Sequence, residues 1–190
     1  MAGFQIGYNT CIVVRINTDF ITNYIKRENN ISLGDMVLYA LAKNLKNYPE
    51  FNSYFDGKTI FYPNINIGYS IKILEKPAKN VVIREADKKS LMEVSQEIKK
   101  LSFLYLRDQL TEEHTNEASV TLLNFSSFNA VSVYTPLYHQ QSALFVIASE
   151  HNSNSFNLCL TFDVRVTDCQ RALNLLNAVR ENLEGKYPID

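Results

Sequence analysis

Phe162-Asp163-Val164-Arg165-Val166-Thr167-Asp168-Cys169 lies where an apolar run stops and a helical pattern begins. Upstream, Phe156, Leu158, Leu160 and Phe162 alternate with Asn157, Cys159 and Thr161, which predicts a strand, with Cys159 a candidate for burial on the second face. Downstream, Ala172, Leu173, Leu176, Val179 and Leu183 recur at three- and four-residue steps and predict one buried helical stripe. Between the two runs stand Asp163, Arg165 and Asp168. A surface turn with an aspartate capping the last helix accounts for these charges, and a loop held between two rigid elements is also where chemistry is commonly carried.

The rest of the chain sets bounds. Its 190 residues, 46% apolar, suffice for one core without metal or disulfide help, so 1–190 reads as a single domain. Lys plus Arg total 19 against 20 Asp plus Glu, which leaves no broad basic field for nucleic acid or an anionic membrane. Cys11, Cys159 and Cys169 form no CxxC pair, and neither a signal peptide nor a long apolar span is visible; the expectation is a reduced, soluble, cytoplasmic protein. The three histidines and three cysteines lack metal-ligand spacing, and there is no phosphate-cradling glycine loop.

Ile6, Tyr8, Thr10, Ile12, Val14 and Ile16 predict a first strand, with Arg15 on its opposite side. Asn17 or Thr18 caps a short helix from Asp19 to about Arg27, and Ser32 with Asp35 makes a capping box for a helix to about Asn47. Short strands follow through Ile60 and Tyr62 and from Asn64 to Ile73, then a turn at 75–80. Asp87 is expected to cap the longest helix, with Leu91, Val94, Ile98, Leu101 and Tyr105 on its apolar face; Ala130 to Tyr134 and Ser142 to Ser149 read as strands.

Several stretches resemble the catalytic domain of the dihydrolipoyl acyltransferases of 2-oxoacid dehydrogenase complexes and, more distantly, chloramphenicol acetyltransferase. Val82-Ile83-Arg84-Glu85-Ala86-Asp87-Lys88-Lys89-Ser90-Leu91 is similar to that family's Ile-Arg-Asn-Ala-Asp-Lys-Lys-x-Leu, and Ile31 to Asn52 to its first long helix with a Pro-Glu-x-Asn end. Asp163, Arg165 and Asp168 match Asp-His-Arg-x-x-Asp-Gly, and Arg180-Glu181-Asn182-Leu183-Glu184 matches the end of the following helix. Val120 to Phe128 resembles Phe-Thr-Ile-Ser-Asn-Leu-Gly-x-Phe. The resemblance implies a two-layer α/β sandwich with a mixed sheet of about six strands, chloramphenicol acetyltransferase-like, with three long helices on one side. It also implies a trimer with sites between subunits; 190 residues hold only the core domain, so no lipoyl or peripheral-subunit-binding domain is expected.

The departures fall on the family's chemistry. Val164 stands where the resemblance implies the histidine base, and valine cannot take a proton. Leu123 stands where it implies the serine that stabilises the oxyanion, and Cys169 replaces the glycine. Asn124 is kept, and Ser126 is a displaced hydroxyl that either substitutes or simply turns the chain. Cys169, at a helix start, is a candidate nucleophile or only a small residue; Cys11 and Cys159 read as buried hydrophobes. His139 is the candidate replacement base if a neighbouring subunit brings it to the channel, or a polar turn residue; His114 and His151 have less claim. By analogy with chloramphenicol acetyltransferase, Arg15 is a candidate partner for Asp168, which with Asp163 and Arg165 would hold the turn. Loss of base and oxyanion donor together favours a degenerate scaffold or partner-binding subunit, as a homotrimer or a mixed trimer with an active relative. The alternatives are an enzyme with a changed mechanism and a small-molecule binding protein. No cofactor is assigned, coenzyme A or an acyl thioester being the group the resemblance would place there.

Overall fold

The computed structural model describes residues 7–28, 30–73, 75–149 and 153–187. Ile6 and His151 lie outside them. In chain order the elements are β1 (Asn9–Asn17), α1 (Asp19–Arg27), α2 (Leu33–Leu45), β2 (Ser53–Asp56), β3 (Lys58–Phe61), β4 (Ile67–Ile71), β5 (Lys79–Ile83), α3 (Leu91–Leu106), β6 (Val120–Phe125), β7 (Ala143–Ala148), β8 (Ser155–Asp163) and α4 (Cys169–Leu183). Six strands form one mixed sheet in the order β1-β8-β7-β6-β4-β5, and β2 and β3 form a separate hairpin. Both β6 neighbours, β4 and β7, run parallel to it, while the outer pairings are antiparallel. This is the two-layer mixed α/β architecture expected from the sequence.

Alternation decides the two faces. Val14, Ile16, Leu158, Leu160, Phe162, Phe145 and Leu122 face the helices and join the inner stripes of α2, α3 and α4 in one core. Leu123, Leu144, Val146, Ala148 and Cys159 form a smaller cluster on the other face, under Cys11, Phe125, Val133 and Leu137. Cys159 is therefore buried on the second face.

Local chemistry fixes the ends. At α2 the Ser32 side chain accepts from Asp35 N (3.2 Å) and the Asp35 side chain from Ser32 N (2.9 Å), the expected capping box. At α1 the side chain of Asn17, not Thr18, supplies the bond, accepting from Asp19 N at 2.7 Å.

Four expectations are corrected. Asp87 does not cap α3: it sits in a 3-10 turn and pairs with Lys46 at 3.3 Å, and Ser90 with Glu93 forms the cap. Ala130 to Tyr134 is no strand: it runs across the second face, where Asn157 Nδ2 donates to Val131 O at 2.7 Å instead of a sheet ladder forming. Leu175, not Leu173, completes the buried stripe of α4, because Leu173 is 37% exposed. The 75–80 turn already contains the start of β5.

Candidate functional site

Strand β8 ends in the core, so its last residue, Asp163, is buried, with 4% exposure. A carboxylate there needs partners. It accepts from Arg165 N (2.9 Å), from Arg165 Nε (2.9 and 3.1 Å) and from Arg165 Nη2 (2.5 Å). The guanidinium packs on the rings of Tyr8 and Phe55, its Cζ 4.4 and 4.5 Å from their centroids. The Asp163 bond holds the Arg165 pKa above its ordinary value.

Asp168 turns the other way. Its carboxylate accepts from Arg171 N at 2.8 Å and caps α4, while Arg171 Nε reaches Glu50 at 2.6 Å. The Glu50 bond raises the Arg171 pKa. Cys169 follows as the exposed first residue of α4. Val164, between these charged residues, donates its N–H to Tyr8 O (2.8 Å) and leaves its side chain 48% exposed.

Arg15 is not part of this cluster. It pairs in register with Asn157, whereas Asn9 faces Asp163, which puts Arg15 about 20 Å along β1 from that end. The part expected of it toward Asp168 is filled by the α4 N-terminus, where the Arg171 N–H donates to that carboxylate.

His139 shares a concavity with the start of that turn within a single chain. It lines, with Asp163, Arg165, Tyr54 and Tyr138, a concavity of ≈ 520 Å³ between the β2–β3 hairpin and the end of β8. His114 instead closes its own turn, its Nδ1 accepting from Thr111 N at 3.0 Å.

The other half of the expected site lies elsewhere. Asn124 is level with Ile147 and, through it, with Leu158, five residues short of Asp163 on β8. That amounts to about 17 Å along the strands and about 10 Å across two strand spacings. Asn124 Oδ1 accepts from Ser126 N (3.1 Å) and Ser126 Oγ (2.7 Å), an Asx turn, and Asn124 Nδ2 donates to Tyr69 Oη at 3.3 Å. Leu123 points to the opposite face, among Leu144, Val146 and Cys159.

Tyr69 and Gly34 were not singled out from the sequence. Burial pushes the Tyr69 phenol pKa up, and its hydroxyl occupies the space beside Gly34, where a Cβ would come within 2.0 Å of Tyr69 Oη. The available signal was a glycine inside the first turn of an otherwise strong helix, where only a close approach explains it.

Among the described residues, no group of three or more His, Cys, Asp or Glu side chains is placed to hold a metal ion. No helix among them is long and apolar enough to cross a membrane.

The dihydrolipoyllysine-residue succinyltransferase component of the 2-oxoglutarate dehydrogenase complex of Haemophilus influenzae is 27% identical over 176 residues, 84% of this chain and 42% of that protein. The chain spans about two fifths of the length of the curated relatives it matches. Among solved structures, a probable dihydrolipoamide acetyltransferase from Listeria monocytogenes superposes with a TM-score of 0.83 at 25% identity, over 96% of this chain and 88% of that one. A chloramphenicol acetyltransferase shares the fold, with a TM-score of 0.64 at 16% identity over 93% and 89% of the two chains. Residues 13–188 match the family described as 2-oxoacid dehydrogenases acyltransferase (catalytic domain). With every element but the start of β1 inside that match, the protein belongs to the 2-oxoacid dehydrogenase acyltransferase family.

Proposed function

We propose that the chain is a catalytically degenerate member of its family, a single acyltransferase-like domain that serves as a trimeric scaffold or partner-binding subunit in the cytoplasm. One observation carries this reading: the charged groups of the 163–168 turn are engaged in holding the turn. Asp163 is bound by Arg165, Asp168 caps α4, and the position between them presents the half-exposed side chain of Val164. A base at that position would need a titratable group, and an oxyanion would need a donor where Leu123 lies in an apolar cluster. The separation of the Asp163 end from Asn124 and Ser126 supports an assembly in which a second copy, or a related acyltransferase, brings the two ends together.

Thiol release from acetyl-coenzyme A with dihydrolipoamide tests the reading. The expected rate equals that without protein. Saturable turnover abolished by a change at His139, Cys169 or Asp168 would sink it.

A second reading, an enzyme acting on an acyl thioester or related small substrate by a changed mechanism, is favoured by the presence of His139 in the same concavity as Asp163 and Arg165. Its decisive result is that same saturable turnover. Sedimentation of the purified protein separates the trimer from a monomer, and recovery from its native cell free of any related acyltransferase would remove the mixed trimer.

A further inference from the structure

We infer that Cys11 and Cys159 hold a soft monovalent cation such as Cu(I) between them, in a two-thiolate site on the second face of the sheet where β1 and β8 pair. This goes beyond the assembly reading and does not depend on it.

The strand register places the two thiols. Cys11 packs on the second-face cluster that contains Cys159, while Ile12, Val14, Leu158 and Leu160 face the helices. Cys11 lies opposite Thr161 and Val13 opposite Cys159, so the cysteines are diagonal neighbours across one strand pair. Diagonal neighbours stand about 7–8 Å apart at Cα. A disulfide takes about 4.4–6.8 Å, so this spacing is wide for a direct S–S bond. Two metal–sulfur bonds of about 2.3 Å set in line hold their sulfurs about 4.6 Å apart, a span the two side chains reach by turning toward each other.

Two neighbouring groups suit bound thiolates. Thr161 is 1% exposed, opposite Cys11 and two residues from Cys159, and its hydroxyl has no hydrogen-bond partner among the described residues. The hydroxyl is near the Cys11 thiol, whose pKa it lowers against the larger rise from burial, without making a hydrogen bond to it. A thiolate would accept the bond that a neutral thiol takes poorly. Arg15 lies on the same face, diagonal to Cys159 from the other side, and has no hydrogen-bond or ion-pair partner among the described residues. Access is one-sided: Cys159 is fully buried, whereas Cys11 is half-buried beside the 43% exposed Val13.

The donor set selects the ion. Among the described residues no third His, Cys, Asp or Glu joins the pair, which leaves a divalent ion short of the four ligands it takes. Soft thiolates in low number suit a monovalent soft cation. Burial raises both thiol pKa values, so the pair stands as neutral thiols. Binding breaks two S–H bonds and forms two metal–sulfur bonds; two protons pass to water, and nothing is oxidised or reduced. The complex carries one negative charge, which the Arg15 guanidinium offsets.

Native mass spectrometry and X-ray absorption on the full chain carrying Cys169→Ser, which removes the exposed thiol, test the site with Cu(I) and Ag(I), and with Zn(II) as the divalent control. One monovalent ion per chain with two sulfur neighbours is expected, held about a hundredfold or more tighter than Zn(II). Adding Cys11→Ser should abolish that binding. Thr161→Val keeps the shape and removes an unpartnered hydroxyl, so the melting temperature should hold or rise while affinity for the ion falls by about tenfold or more. Arg15→Gln, at an exposed position, should weaken it by about threefold. No bound ion, an ion retained after Cys11→Ser, Zn(II) held as tightly, or unchanged affinity in Thr161→Val would each overturn the inference.

Discussion

Asp163 and Arg165, two residues apart, bind each other side on, with the Arg165 backbone N–H and two guanidinium nitrogens converging on one carboxylate that is 4% exposed. The pair closes the end of β8 before α4 begins. Arg165→Met would leave that buried charge without its counter-ion. The expected loss is about 2–3 kcal/mol, less than for a fully buried pair because Arg165 remains partly solvated. Urea unfolding at neutral pH measures it, and Arg165→Lys should restore only part, since an ammonium cannot span both oxygens.

Gly34 and Tyr69 form a second constraint. Gly34→Ala places a Cβ within 2.0 Å of Tyr69 Oη and 2.9 Å of its Cζ. Overpacking of this kind costs about 1–3 kcal/mol, although alanine is the better helix former. In the background of Tyr69→Phe the hydroxyl is gone, so the same substitution should cost markedly less. Additive losses in that double-mutant cycle would show that the clash is relieved some other way.

Acid should weaken the α3 cap. The Ser90 N–H and hydroxyl bonds, the first largest, hold the Glu93 pKa below its ordinary value. A carboxylate with a depressed folded pKa contributes stability that is present above its unfolded pKa and is lost as pH falls through the folded one. Wild type should therefore exceed Glu93→Gln in stability at pH 7, with the gap closing on descent below the unfolded carboxylate pKa of about 4.3. A gap that stays constant from pH 7 to pH 3 would contradict this.

The three thiols should differ in reactivity. Burial pushes the Cys11 and Cys159 pKa values up, while Cys169 is exposed. Brief labelling with maleimide at neutral pH, followed by mass spectrometry, should modify Cys169 first and Cys159 last. Early modification of Cys159 would place it outside the apolar cluster described above.

Restoring chemistry requires both missing groups. Neither Val164→His nor Leu123→Ser alone should raise acetyl transfer above background, because a base without an oxyanion donor still leaves a barrier several kcal/mol too high. The double variant should recover at most a trace. Leu123 is 7% exposed in an apolar cluster, so its truncation also costs about 2–4 kcal/mol, and thermal melts must accompany the kinetics.

Legibility in the sequence followed the reach of each interaction. The β8 alternation, the Ser32 box and the Asp168 cap are local, and the expected and observed residues coincide. For α3 two local caps competed, and Ser90 with Glu93 three residues on carried the reciprocal signature that Asp87 lacks. β5 was hidden because Val81, Val82 and Ile83 are all buried, which erases the period of two. Val131 and Val133 alternate like a strand, but tertiary packing lays them across the second face. The concavity joins Asn9, Tyr54, His139 and Arg165 from four distant segments, and no spacing rule reaches that far.

Among the described residues, the nine residues of β1 find their sheet partners only in β8. During synthesis β1 therefore leaves the ribosome long before the strand that pairs with it, and must wait unpaired while every element between β1 and β8 is made. Sheet closure has to wait for β8, and long-range contacts of this kind make it correspondingly slow. Nascent chains stalled before Phe156 should stay protease-sensitive and bound to chaperones, and release of the last strand and α4 should convert them in a single cooperative step.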